Sequence, residues 1–221
     1  MAIEQVLFDL NGTLFDPAAM AEPLGNGSEG LVEEILGDAV LLGMVETLTG
    51  SYRDFSELLR AGASRRLALR GQDDRVDAVL AGAQEMRPYP DARAAIETLR
   101  DAAIGAGVLT NSSTDAARSL VANGDLPPLA PIVGTDQVQT FKPDRRIYER
   151  GVEAAGRRPD EVVLITAHAW DAIGAKRAGL RAAWLWRRER ARPPIDPAPD
   201  LEAPDLATAA ARIAGAGEGY G

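Results

Sequence analysis

The sequence predicts an α/β fold, a doubly wound parallel sheet with a small helical segment inserted after its first strand. Three observations predict it. From about residue 91 onward, short apolar runs alternate with helical patterns, the order that a parallel sheet with crossover helices requires. Between about Leu31 and Gln84 the periodicity is helical, with no convincing strand. Asp9, Asn111 and Thr166 each sit at the end of an apolar run, and in an open parallel sheet such residues converge beyond the carboxyl ends of the strands.

The elements follow in order. Val6-Leu7-Phe8 reads as a buried strand running into the polar turn Asn11-Gly12-Thr13. Segment 17–30, rich in Pro, Gly and Asn, reads as a linker. The first helix of the insert places Leu31, Ile35, Leu36, Val40, Leu41 and Val45 on one broad face, and further helices are expected over 54–70 and 73–85. Pro88 and Pro90 punctuate the chain, and Asp91 is expected to cap a helix over 91–103. Strands are then expected at 107–109, 132–133, 161–166 and 182–185, with helices over 114–123, 145–155, 169–178 and 206–214. Segment 193–204 reads as a proline-rich surface loop, and residues 215–221 as a frayed end.

Composition excludes several classes of function. The chain has 221 residues and no cysteine, so disulfides, thiolate metal sites and cysteine nucleophiles are impossible. One histidine, His168, excludes a multi-histidine metal site. The net charge of −9 disfavours a nucleic-acid partner, which needs a basic face. No stretch approaches the ~18 apolar residues of a membrane span, and no basic region precedes the first apolar run. The expectation is a cytoplasmic protein acting on a small molecule. Lysine occurs only at Lys142 and Lys176 among 24 basic residues, so a position that keeps lysine where arginine is otherwise used draws attention.

Four motifs carry a resemblance. Phe8-Asp9-Leu10-Asn11-Gly12-Thr13-Leu14, Leu109-Thr110-Asn111-Ser112, Phe141-Lys142-Pro143-Asp144 and Ala167-His168-Ala169-Trp170-Asp171 occur in the order of the four motifs of the haloacid dehalogenase superfamily. The fourth resembles the form seen in the two-domain L-2-haloacid dehalogenases. The resemblance implies a Rossmann-like core over 1–16 and 86–221 with a helical cap domain over 17–85. It also implies hydrolytic dehalogenation of short 2-haloalkanoic acids through an aspartyl ester, with no cofactor, and it makes a homodimer joined through the cap plausible.

The residues support that chemistry individually. Asp9 ends a buried strand, and a carboxylate there can attack carbon or phosphorus to form an ester that water hydrolyses. Thr13 could orient Asp9 or bind an anion. Lys142, placed before Pro143 and so biased towards an extended conformation, offers a compact charge near Asp9 and an anionic substrate. Thr110, Asn111 and Ser112 lie at a strand–helix junction, where they form an anion cradle or cap the helix that follows. Leu10, Asn11 and Trp170 join the expected substrate and halide contacts, with Phe55 and Tyr52 as further candidate walls. His168 stands where the resembling dehalogenases commonly have asparagine. It could activate the hydrolytic water, giving the pH profile an acid limb, or bind the substrate's anions. Asp171 could be the base instead, or hold Lys142 in place, and Glu22 is a candidate to orient His168.

Two features bear on the alternatives. Asn11 replaces the aspartate that phosphatases of the superfamily use as general acid/base, and an amide cannot exchange protons in that way. A magnesium-dependent phosphatase, with Asp9, Asp171 and the Asn11 carbonyl as ligands, is therefore the second reading, and a non-catalytic binding protein the third. Residues 17–50 contain no Arg or Lys, whereas the related dehalogenases hold the departing halide with an arginine on the first cap helix. Here the first basic residue of the insert is Arg53.

Overall fold

The computed structural model describes residues 2–215, and residues 216–221 of the expected frayed end lie outside them. Strand β1 (Gln5–Phe8) leads into a two-residue strand β2 (Phe15–Asp16). Two short 3-10 turns, Pro17–Met20 and Glu22–Leu24, occupy half of the segment expected as linker, and Met20 is fully buried. Three helices follow: α1 (Glu29–Thr49), α2 (Phe55–Ala68) and α3 (Val76–Gln84). Strand β3 (Arg87–Pro88) returns antiparallel to β2, closing the insert at its neck. Helix α4 (Ala92–Asp101), β4 (Gly105–Leu109), α5 (Thr114–Asn123), β5 (Ile132–Val133), α6 (Arg145–Ala155), β6 (Val162–Thr166), α7 (Ala169–Arg177), β7 (Arg181–Leu185), β8 (Leu201–Ala203) and α8 (Leu206–Gly215) complete the chain.

The sheet runs β5-β4-β1-β6-β7-β8, with every neighbouring pair parallel. The chain builds outward from β1 through β4 to β5, then crosses to β6 on the other side of β1. Strand order therefore reverses around β1, which places the ligand crevice at its carboxyl end. Both faces of the sheet are covered. Val6, Phe8, Val108, Val163 and Ile165 join the core that includes Ile96 of α4 and Ala210 of α8. Leu7, Leu109, Leu164 and Trp184 pack on the opposite side with Ile147 and Tyr148 of α6 and Ala172 of α7. This two-sided burial explains why the strands read as short continuous apolar runs.

Helix α1 is apolar on two sides. Val32, Ile35 and Ala39 are buried, and Gly62 lets α2 close on this face: a Cβ there would lie 2.8 Å from the Ile35 carbonyl. Asp38 fastens the pair, accepting from Arg65 at 2.6 Å and from Arg66 Nε and Nη2 at 2.8 and 2.7 Å. The Arg66 hydrogen bond holds the Asp38 carboxyl below its ordinary range against the opposing effect of burial. The second apolar side of α1, including Leu36, Val40 and Met44, covers the crevice at the end of β1.

Two local expectations are corrected, and of the two alternatives for Asn111 and Ser112 the helix cap is not formed. The loop expected over 193–204 contains β8, a sixth strand paired with β7; three residues among prolines are too few to show periodicity. Asp91 occupies the N-cap position of α4, but its side chain makes no capping hydrogen bond there. Its Oδ2 accepts instead from the Leu206 N–H at the start of α8 (2.8 Å) and from Arg187 (2.7 Å). Neither Asn111 nor Ser112 caps α5. Ser113 accepts from Ala116 N at 3.4 Å, and Asp136 accepts from Thr114 N at 2.7 Å.

Candidate active site

Asp9 follows β1 directly, its N–H donating to the Ile165 carbonyl at 2.9 Å, so the sheet itself fixes its backbone. Its carboxylate is held at both oxygens. Oδ1 accepts from Lys142 Nζ at 3.1 Å and Oδ2 from the Thr13 hydroxyl at 2.8 Å. Thr13 Oγ1 in turn accepts from the Ala167 N–H at 2.9 Å, which leaves its hydrogen for Asp9. The chain turns between these two residues at Gly12, whose φ of +80° suits a residue without a Cβ.

Lys142 is fully buried and bridges two acids, donating also to Asp171 Oδ2 at 2.9 Å. Burial opposes its charge, but the carboxylates of Asp171 and Asp9 outweigh burial and hold its pKa above the ordinary lysine value. Asp171, on α7, is likewise fully buried, and its Oδ1 accepts from the Tyr148 hydroxyl at 2.6 Å. Burial raises the Asp171 carboxyl above its usual range, with the Lys142 ammonium pulling it back and Asp9 adding to the rise. Asn111 supports the bridge from the backbone side: its Oδ1 accepts from Lys142 N at 2.9 Å.

His168 stands between β6 and α7 with 27% of its side chain exposed. Nε2 lies 3.1 Å from the Asn11 carbonyl oxygen and 3.8 Å from Asp9 Oδ2, while Nδ1 lies 3.8 Å from Glu189 Oε1. A carbonyl oxygen only accepts, so Nε2 carries the hydrogen. Burial disfavours the imidazolium, yet Glu189, the Asp9 charge and the Asn11 carbonyl together raise its pKa above 6.5. Nε2 is thereby a donor, and Nδ1 is the ring nitrogen that faces Glu189. Glu189 is fixed for the purpose, its Oε2 accepting from Ala169 N (2.9 Å) and Trp184 Nε1 (3.3 Å). Glu22 does not orient His168. It is exposed in its own short turn, and Glu189 faces the ring instead.

A cavity of about 410 Å³ opens over Asp9, between the strand ends and α1. Of the residues expected around the substrate, Asn11, Thr110, Asn111, His168 and Trp170 line it, together with Phe55. Trp170 stacks on the His168 ring with centroids 5.7 Å apart. Leu10 and Ser112 face a neighbouring cavity between α2, α3 and α5, and Asn11 lines both. Thr13 is fully buried and reaches Asp9 rather than the cavity. Tyr52 stacks on Phe141 at 5.3 Å instead of forming a wall. Arg188 and Glu189, which the motif reading missed, also line the cavity. They follow β7, so the strand-end rule that singled out Asp9 and Asn111 points to them as well.

The donor set does not suit the magnesium ion of the phosphatase alternative. Asp9 Oδ1 and Asp171 Oδ2 share the Lys142 ammonium, and the Asn11 carbonyl meets His168 Nε2. A metal ion bound by these three atoms would sit against the Lys142 ammonium and the His168 Nε2–H donor. Among the described residues, no three His, Cys, Asp or Glu side chains group as metal ligands.

A reversed parallel sheet with a carboxylate at its switch point, backed by a buried lysine and a second buried acid, defines a hydrolase of the doubly wound α/β class. The haloacid dehalogenase-like hydrolase family model matches residues 3–179, and the chain belongs to that family. It is 29% identical over 193 residues to (S)-2-haloacid dehalogenase 1 of Pseudomonas sp. (strain CBS-3), covering 84% of this chain and 85% of the relative. It is 30% identical over 193 residues to the (S)-2-haloacid dehalogenase of Xanthobacter autotrophicus, covering 84% and 76%. The fold matches the structure of the L-2-haloacid dehalogenase from Xanthobacter autotrophicus with chloropropionic acid covalently bound. That match has a TM-score of 0.85 at 23% identity and covers 99% and 100% of the two chains.

Proposed function

We propose that this protein hydrolyses short 2-haloalkanoic acids to 2-hydroxy acids, with residues 17–85 as a cap domain over a core of 1–16 and 86–221. The observation that carries the reading is Asp9. Its carboxylate lines the cavity, held by Lys142 and Thr13, in a chain whose relatives are named (S)-2-haloacid dehalogenases. An Asp9 oxygen attacks C2 of the substrate, the carbon–halogen bond breaks, and halide leaves with the bonding pair. Attack from the face opposite the halide inverts C2. Water then adds to the Asp9 acyl carbon, and the ester C–O bond breaks to release the 2-hydroxy acid and restore the carboxylate. The oxygen gained by the product is thus the one that attacked.

Asp171 accepts one proton of the water in this scheme, the other goes to the departing alkoxide oxygen, and Asp171 then loses its proton to solvent, so that each turnover releases one proton with the halide. The raised pKa of Asp171 brings it closer to the operating pH, and one ammonium links it to Asp9. His168, as imidazolium, offsets the negative charge that substrate brings beside Asp9. The apolar side of α1 excludes water from the reacting centre and strengthens these interactions. No step requires a metal or an organic cofactor. The substrate is a small anion. Self-association through the cap is supported by Leu41, Val45 and Leu48 of α1, which are exposed, and sedimentation tests it. No described helix is long and apolar enough to cross a membrane, and a cysteine-free chain suits the cytoplasm. Halide release from fluoro-, chloro- and bromoacetate and from 2-chloropropionate tests the reaction. Asp9→Asn is the control, and release that survives Asp9→Asn refutes the reading.

A further inference from the structure

An anionic substrate needs positive charge in the cavity: His168 lies beside Asp9, and residues 17–50, where the related dehalogenases carry the arginine that holds the departing halide, have no Arg or Lys to add to it. Lys142 does not line the cavity, and its ammonium is committed to two buried carboxylates. The carboxylates of Asp9, Glu33 and Glu189 do line it and would repel a second acid. Arg188 is the sole lysine or arginine among the described lining residues.

Its placement is specific. The side chain is 18% exposed and passes over the nucleophile loop: a Cβ on Gly12 would lie 3.5 Å from Arg188 Cδ and 3.3 Å from His168 Nε2. Nη1 donates to the Tyr89 hydroxyl at 3.4 Å, and the Tyr89 ring is itself held under Arg187, whose guanidinium carbon lies 4.3 Å from the ring centroid. Nη2 donates to Glu33 Oε1 on α1 at 2.9 Å. The guanidinium therefore already docks a carboxylate at the cavity wall, and these two contacts do not exhaust its five donors. A planar fork of this kind takes a carboxylate bidentately.

We propose that Arg188 anchors the substrate's carboxylate, and that Glu33, competing for the same guanidinium, sets how tightly it is held. This cation comes from the core loop after β7, and its link to Glu33 ties substrate binding to the helix that covers the cavity. This inference rests on the haloacid reading, but its first test does not depend on turnover.

Calorimetric titration with propionate, which cannot react, measures the anchor directly, with propionamide as the uncharged control. Arg188→Gln should weaken propionate binding about tenfold to a hundredfold, the range for one lost charge-assisted contact, and leave propionamide unchanged. Glu33→Gln should strengthen propionate binding, a gain that a merely structural ion pair would not give. In turnover, Arg188→Gln should raise KM for 2-chloropropionate far more than it lowers kcat. Equal weakening of propionate and propionamide, or Glu33→Gln binding propionate no better than the parent, overturns the proposal. Selective propionate binding without halide release from any haloacid would refute the dehalogenase reading and leave the anchor standing. If Arg188→Gln does not fold, the Glu33→Gln titration decides alone.

Discussion

Replacing Lys142 with Met removes one ammonium and leaves Asp9 and Asp171 facing each other across the space it filled. Both acids are buried, and their oxygens lie 3.1 and 2.9 Å from Nζ. Breaking a buried pair by removing one partner costs about 3–5 kcal/mol, because an uncompensated charge stays behind. At about 2–4 °C per kcal/mol for a domain of this size, the melting temperature should fall by roughly 6–20 °C at neutral pH. The sign with pH follows from the shift. The Lys142 pKa is raised above 10.5, so its contribution is complete below 10.5 and is lost as pH rises through the folded value. In the variant the two carboxylates can protonate, so the deficit relative to the parent should shrink in acid. Lys142→Met/Asp171→Leu should recover much of the stability while halide release stays about 10²–10³-fold or more below the parent, the loss typical of one electrostatic stabiliser. Thermal melts from pH 4 to 9 and halide release measure both effects. A single variant melting within 2 °C of the parent at pH 7, or turning over normally, would refute the bridging role.

Further outcomes follow from the same geometry. Asp171→Asn should release about one equivalent of halide per site and then accumulate an ester on the Asp9 peptide, seen by mass spectrometry; full turnover would remove Asp171 as the base. His168→Asn should show no ester build-up but a raised KM, and parental kcat/KM should fall as pH rises past the raised His168 pKa. An acid limb that disappears in His168→Asn would restore His168 as the base. The imidazolium's contribution to stability is present below 6.5 and lost as pH rises through the folded value, so Glu189→Gln should move both the kinetic limb and this loss to lower pH.

Much of this architecture is legible in the sequence because apolar runs and helical periodicity report burial directly. The parallel sheet is as expected, and α5, β5 and α6 coincide with the expected elements. Strands β2, β3 and β8 are not legible, because two or three residues paired by tertiary contact carry no period of their own. Motif spacing brings Asp9, Lys142 and Asp171 together across more than 130 residues of chain, yet it assigns no partner to His168. Glu189 and Arg188 lie in a charged run after β7, where only strand order shows that they share the crevice with β1. Lysine scarcity works at one position of two: Lys142 is buried at the site, whereas Lys176 pairs with Asp200 at 2.6 Å away from it. The three-acid cavity wall, with its single guanidinium, emerges only once α1 is folded over the strand ends.

In the proposed reaction Asp9 is the nucleophile, and water attacks its ester rather than the substrate. A single turnover in oxygen-18 water, with enzyme in excess over 2-chloropropionate, tests it most directly. After that first turnover the Asp9 carboxylate should carry one heavy oxygen and the 2-hydroxy acid none. Label in the product, with none in the Asp9 peptide, would mean that water displaces halide directly and that Asp9 is not the nucleophile.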